Sequence, residues 1–399
     1  MTTSPRHGCP PARLALGGLV MAGLLVSTQA PADELDIRFG YLQWQPDRGP
    51  ALAQLVPEPE DSGLRGAELA IADNLSTGRF LGQGYHLEAI TAQDEEALLD
   101  SLQAMLDDGV DILILNVPSE TLRQAAAISG NRALLFNAGA RDVSLRLSDC
   151  SPYLLHTAPS HAMLTDALAQ WLNFRRWRKV FLITGPTEED IAWAEAFRRS
   201  ADKFALDIVS DKAWTFEADM RRNASAELPL FTQGPDYDAV VVADVRNDFG
   251  DFVPFNTWLP RPVVGTQGMA PSAWHPAVEA YGARQLQSRF RRQAERHMTS
   301  TDYAAWAAVR SVGEAVTRLS SGEMEALREY LLGDEFELAA FKGRSLSYRQ
   351  WNGQLRQPMP LAHSGSLVAM APFEGFLHQY TELDTLGYDK PESTCRIGG

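Results

Sequence analysis

Two rhythms of apolar residues alternate along this chain. Short runs that are apolar at every position, or at every second one, give way to longer stretches with apolar residues three and four apart. The first rhythm suits strands and the second suits helices. Residues 35–42 set Ile37 and Phe39 against charged neighbours, and residues 63–74 follow with Leu64, Ala67, Leu69 and Ile71 near helical spacing. A strand is predicted over 85–91. A helix is predicted over 94–108, where Leu98, Leu99, Leu102 and Met105 form one stripe and the first turn carries acids that complement the helix dipole. Residues 111–117, DILILNV, are almost wholly apolar, as in a parallel strand buried on both faces. A helix over 119–128 and a strand over 133–136 close this run.

The rhythm then starts again. Helices are predicted over 161–174 and 188–204, and strands over 179–184, 206–209, 238–245 and 262–265. Strands alternating with helices argue for parallel sheets with right-handed crossovers. Two such runs, split near residues 150–156, predict an α/β molecule of two doubly wound lobes. Further on, 303–319 and 321–332 read as helices. Residues 346–370 carry a hairpin signature, LSYRQW, then a turn at Asn352-Gly353, then SLVAMAP. From about residue 377 the chain is polar and irregular.

The first thirty-odd residues do not fit this pattern. Arg6, His7 and Arg13 precede thirteen small or apolar residues, 14–26, which is the length of a signal-peptide core rather than of a membrane span. Ala30-Pro31-Ala32 matches the cleavage pattern, so the cut is expected after Ala32, although Thr28-Gln29-Ala30 also fits. Export changes the meaning of the cysteines. Cys9 lies in the segment expected to be removed, which leaves Cys150 and Cys395. An even pair in an exported chain points to a disulfide, with two buried thiols as the alternative. Charge narrows the partners. There are 36 Lys plus Arg against 51 Asp plus Glu, a net charge of −15, which disfavours nucleic acid and anionic membrane surfaces.

Catalytic and metal motifs are missing from the sequence. It has no phosphate loop, no G-x-G-x-x-G after a first strand, no H-E-x-x-H, no C-x-x-C and no nucleophile elbow. The histidines are scattered, and His156 and His161 are expected in surface or capping roles. Binding is therefore favoured over catalysis, and neither a metal nor a catalytic residue is assigned. In open parallel sheets, ligands sit outside the carboxyl ends of the strands. That rule selects Trp44, Arg48, Ser119, Asn137, Arg141, Thr187, Asp244 and Arg246, with Trp274 a possible addition from a later crossover. Ser119 and Thr187 stand at helix starts, where they can meet an anion or simply cap. The arginines offer planar forks for a carboxylate, and a Trp face can stack on a flat ligand. Pairing of these arginines with local acids such as Asp47, Asp142 and Asp244 is the competing reading.

The export signal, the repeated α/β lobes, and the stretches GLRGAELAIADNLSTGRFLGQ, LLHTAPSHAMLTDALAQWL and FLHQYTELDTLGYDKPESTC carry a resemblance. The chain resembles the type I periplasmic binding proteins. Its nearest likeness is to their branched-chain amino acid-binding branch, and within that to the subgroup associated with pyrroloquinoline quinone-dependent alcohol catabolism. The resemblance implies a periplasmic substrate-binding component that closes on a small molecule and presents itself, as a monomer, to an inner-membrane ABC permease. It implies lobe 1 as 33–152 plus 269–341, lobe 2 as 153–268 plus 342–376, and a tail, 377–399, tied to the hinge by Cys150 and Cys395. A sensor with a membrane partner is the alternative role. In the family, first-lobe Ser and Thr groups hold an amino acid carboxylate. Here Ser119 sits in that region, but the loop 137–141 lacks the Ser/Thr pair and carries Arg141. This departure points away from a neutral branched-chain amino acid and toward a carboxylated or aromatic solute. No cofactor is implied, although pyrroloquinoline quinone is a candidate bound ligand.

Overall fold

The structure is a computed structural model that describes residues 35–45, 58–215 and 220–398. The leader, its cleavage site and Arg48 lie outside them. In chain order the first lobe contributes β1 (Leu35–Trp44), α1 (Leu64–Leu81), β2 (Gln83–Ala92), α2 (Glu95–Asp107), β3 (Ile112–Asn116), α3 (Ser119–Ser129), β4 (Leu134–Asn137), α4 (Ser144–Leu147) and β5 (Leu154–His156). The second lobe contributes α5 (His161–Phe174), β6 (Lys179–Thr184), α6 (Glu188–Lys203), β7 (Asp207–Ala213), α7 (Met220–Phe231), β8 (Ala239–Ala243), β9 (Val263–Gly265) and β10 (Met269–Pro271). The chain returns to the first lobe as α8 (Ala283–Ala294), α9 (Ser300–Leu319), α10 (Met324–Leu332), β11 (Leu338–Ala339), β12 (Ser345–Tyr348) and β13 (Leu355–Arg356). It ends in the second lobe with β14 (Met359–His363) and β15 (Ser366–Ala371), then the tail.

The first sheet is wholly parallel, in the order β2-β1-β3-β4-β5. The second runs β15-β14-β10-β9-β8-β6-β7, parallel except for β14 and β15. Both are covered on two faces, which explains their apolar strands. In β3, Ile112 and Ile114 join one core while Leu113 and Leu115 join the other. In β6, Val180 and Leu182 face one way and Phe181 and Ile183 the other. Successive side chains of a strand point to opposite faces, so a strand packed on both sides must be apolar at every position.

The three crossovers between lobes come later than the sequence suggests. β5 still pairs with β4, so the first crossing lies at 157–160 rather than near Ser151. β10 remains in the second sheet, while Ala273 and Trp274 pack in the first core. The second crossing therefore falls between them rather than at Gly268. Leu346, Tyr348 and Leu355 also pack in the first core, whereas Met359 and Leu361 belong to the second. The third crossing is thus at Gln357–Pro358, not near Phe341. The small sheet β11-β12-β13 caps the first lobe, with the Tyr348 hydroxyl 2.9 Å from the Ser311 hydroxyl.

The single hairpin expected over 346–370 is two. β12 pairs with β13 around Asn352-Gly353, and β15 pairs with β14 around Ser364-Gly365. The tail touches both lobes. The Gly387 N–H donates to the buried Asp166 of α5 (2.8 Å), and the Ser393 and Thr394 hydroxyls donate to the carbonyls of Arg146 and Leu147 (2.9 and 2.8 Å). Cys150 and Cys395 form the expected disulfide, with Cα atoms 5.7 Å apart. Among the described residues, no helix is long and apolar enough to cross a membrane.

Candidate functional site

The carboxyl ends of both parallel sheets meet across the hinge. Buried polar side chains knit the crossovers together there. Arg146 Nε donates to Gln354 Oε1 (2.9 Å), and Gln354 Nε2 donates to the carbonyls of His156 and Ala158 (3.1 and 3.2 Å). Gln357 Nε2 donates to the Thr157 carbonyl (2.9 Å), which joins the first and third crossings. None of these residues has appreciable exposure, so each bond forms where water cannot compete.

The loop after β4 is shaped by Asn137. Its Oδ1 accepts from the N–H groups of Gly139 and Ala140 (3.1 and 2.8 Å). Its Nδ2 reaches the Ala140 carbonyl and His156 Nδ1 (2.8 and 3.0 Å). The loop passes so close to β3 that a Cβ on Gly139 would lie 2.6 Å from Asn116 Oδ1. Arg141 follows, its carbonyl accepting from the His161 N–H at the start of α5 (2.8 Å). The guanidinium itself is part-buried, and among the described residues it makes no hydrogen bond or ion pair. Burial pulls its pKa below the ordinary value, while Glu58 and Glu189 act in the opposite sense. Glu189 belongs to α6, so the first-lobe arginine feels a carboxylate of the second lobe. Beside it, His161 Nδ1 is buried and has no hydrogen-bond partner among the described residues. Burial, then the charge of Arg141, push that imidazole down to about 3, so it is neutral.

The facing wall is the start of α6. The Thr187 hydroxyl accepts from the Asp190 N–H (3.2 Å), and Asp190 Oδ2 accepts from the Thr187 N–H (3.1 Å), a reciprocal cap. The other Asp190 oxygen accepts from the Val245 N–H (2.6 Å), fastening α6 to the loop after β8. Glu189 Oε2 accepts from Arg246 Nε (2.7 Å).

The structure brings Arg141 and Arg246 toward Glu189 and gives most of the other sequence-selected residues partners of their own. Arg141, Glu189 and Arg246 form a charged line from one lobe to the other. Trp44 ends β1, and its indole N–H donates to the Gln93 carbonyl (3.1 Å). The Ser119 hydroxyl, expected to meet a ligand, donates instead to Asp142. Asn137 has no exposed surface, and its amide is spent on its own loop. Asp244 is likewise buried, its carboxylate accepting from the N–H groups of Asp248, Phe249 and Gly250 (2.9, 2.8 and 2.5 Å). Thr187 is a cap. Trp274 is core: it stacks on Tyr303 at 4.8 Å and donates to Gln287 (3.0 Å). His156 and His161, expected at the surface or as caps, are both buried. The sequence reading missed Glu189 and His161. Each sits within a few residues of a strand end that the reading did examine, but neither carries a motif.

Solved structures give the fold a context. The chain is similar to a branched-chain amino acid ABC transporter periplasmic ligand-binding protein from Burkholderia xenovorans LB400, with a TM-score of 0.68, 16% identity, and coverage of 84% of this chain and 95% of that one. It is similar to an ABC transporter substrate-binding protein from Desulfitobacterium hafniense in complex with Leu, at 0.64 and 17%, covering 83% and 99%. It is also similar to an ABC transporter solute-binding protein from R. palustris in complex with benzoate, at 0.62 and 14%, covering 84% and 95%. No protein-family model and no curated protein matches the sequence. The fold is that of the type I periplasmic binding proteins, as expected. These three neighbours are ligand-, substrate- and solute-binding proteins of ABC transporters.

Proposed function

We propose that this chain is the exported, periplasmic substrate-binding component of an ABC transporter, taking a small carboxylated solute between its lobes and delivering it, as a monomer, to an inner-membrane permease. The observation that carries this reading is Arg141. A part-buried guanidinium that makes no ion pair among the described residues is costly unless something supplies a counter-ion, and the mouth of a two-lobed cleft is where a ligand would do so. A carboxylate there would accept from the guanidinium fork on the first lobe. Glu189 and Arg246 close from the second lobe, and Trp44 offers a flat apolar rim. The leucine and benzoate held by two of the fold neighbours are both carboxylates, which fits this chemistry. Pyrroloquinoline quinone, a polycarboxylate suggested by the sequence resemblance, is the large-ligand candidate.

A thermal-shift panel of leucine, benzoate, simple alcohols and pyrroloquinoline quinone tests the reading. A ligand at a hundred times its Kd adds about 2.7 kcal/mol to stability. In the binding assay that follows, Arg141→Ala is expected to weaken a carboxylate hit by about 1.5–3 kcal/mol, roughly ten- to a hundredfold. An unchanged affinity would sink the anion assignment, and turnover of the hit would sink the receptor reading.

A further inference from the structure

A second opening lies against the third crossover and shares no residue with the Arg141 site. It is a cavity of about 350 Å³ with walls from both lobes. Tyr281 comes from the chain entering α8. Lys342 and Arg344 come from the segment between β11 and β12. Met370, Phe373 and Phe376 come from the end of β15 and the turn beyond it.

Lys342 is the unusual member. It is 5% exposed, bracketed by Phe341 and Gly343, both in the left-handed region at φ 58° and 82°. Its Nζ donates to Gln357 Oε1 (2.7 Å) and to the Pro358 carbonyl (3.0 Å) and stands 4.6 Å from the centre of the Tyr303 ring. All three partners are neutral. Among the described residues no carboxylate pairs with it. The neutral amine spends both its donors on these bonds, and only the ammonium form has a third to give. Burial pushes its pKa far below the usual lysine value, and a neighbouring anion would favour the charged form. The other charges on the wall are Arg344 and Glu382, paired with each other at 3.3 Å, and Glu374. Those two acids would resist a dianion and tolerate a monoanion.

We propose that this cavity is a second ligand site, for a small aryl or alkyl monocarboxylate. Its carboxylate meets Lys342, and its apolar body lies along Met370, Phe373 and Phe376. Because the walls belong to both lobes, occupancy favours one arrangement of the lobes over another and so couples the cavity to the cleft. The inference does not rest on the proposed role of Arg141.

The test is a fluorine NMR titration of the full chain with 4-fluorobenzoate, in wild type, Lys342→Met and Arg141→Ala. The binding event belonging to the cavity is expected to survive Arg141→Ala and to weaken roughly tenfold or more in Lys342→Met, while an event in the Arg141 cleft responds in the opposite way. Should Lys342→Met fail to fold, Phe376→Ala, which removes an apolar wall, is expected to weaken binding in its place. The proposal is overturned if wild type does not bind in the millimolar range, if neither cavity substitution alters binding, or if Arg141→Ala alone abolishes it.

Discussion

Asp384 has almost no exposed surface, yet two guanidinium groups share it, Arg349 Nε at 2.8 Å and Arg356 Nε at 2.9 Å. Arg349 is itself buried and gives its remaining donors to the carbonyls of Leu383, Leu386 and Tyr388. Desolvating such a group is expensive, and removing one partner strands the other. Asp384→Asn is therefore expected to destabilise the protein by about 3–5 kcal/mol in urea unfolding; a loss under about 1 kcal/mol would show that the carbonyls alone suffice. His161 makes a pH prediction. Its folded pKa, about 3, lies below the value of 6.5 it regains on unfolding, so the unfolded chain binds the extra proton. Its contribution is fully present above pH 6.5 and is lost progressively as pH falls toward 3, by about 2 kcal/mol at pH 5. His161→Gln is expected to show a shallower acid limb than wild type, and identical limbs would contradict this. At this scale the sequence is only partly informative. Placement at strand ends selected Arg141, which makes no ion pair among the described residues, but it also selected Asn137 and Asp244, because a polar side chain in a tight loop is as readily consumed by that loop's own N–H groups as by a ligand.

Helix α1 packs along α9 at two glycines. A Cβ on Gly66 would lie 1.9 Å from the Asp302 carbonyl oxygen, and one on Gly313 would lie 2.2 Å from Asn74 Oδ1. In an exposed helix, Gly→Ala gains up to about 1 kcal/mol. Here the sign is expected to reverse, with Gly66→Ala losing about 1–3 kcal/mol by forcing the helices apart; a raised melting temperature would refute the close packing. These elements were the most legible part of the chain. The helix α5 and the strand β6 coincide with the spans their apolar spacing predicts, since burial on one face or two imposes that spacing. The sequence was less clear where burial is weak. α1 continues past residue 74 to Leu81 on a largely exposed last turn. The strands β5, β10 and β13 are two or three residues long and left no periodicity to read, which is why every lobe crossing was placed too early.

The tail makes the two lobes into one mechanical unit. It is held on the second lobe by Asp166, on which Arg199 and Lys203 also converge, and on the first by the disulfide. Cysteine counting foretold the bond, but not that the segment leading to it would be pinned by buried charge. In the chain-entropy model, a loop of 245 residues is stabilised by about 5 kcal/mol on closure. Cys395→Ser is expected to lower unfolding stability by up to that amount, and wild type under reductant to converge on the variant; no difference between oxidised and reduced protein would remove the bond from the account. The same separation has a consequence for how the protein is made. A chain emerging amino end first carries Cys150 as a lone thiol while the whole second lobe, and the α8–β13 return that completes the first, are still to come. An oxidant that meets it early can only cap it or couple two nascent chains. The yield of properly closed protein is thus a race between chain emergence and oxidation, and slowing emergence will raise the fraction of disulfide-linked dimers seen in a pulse-chase.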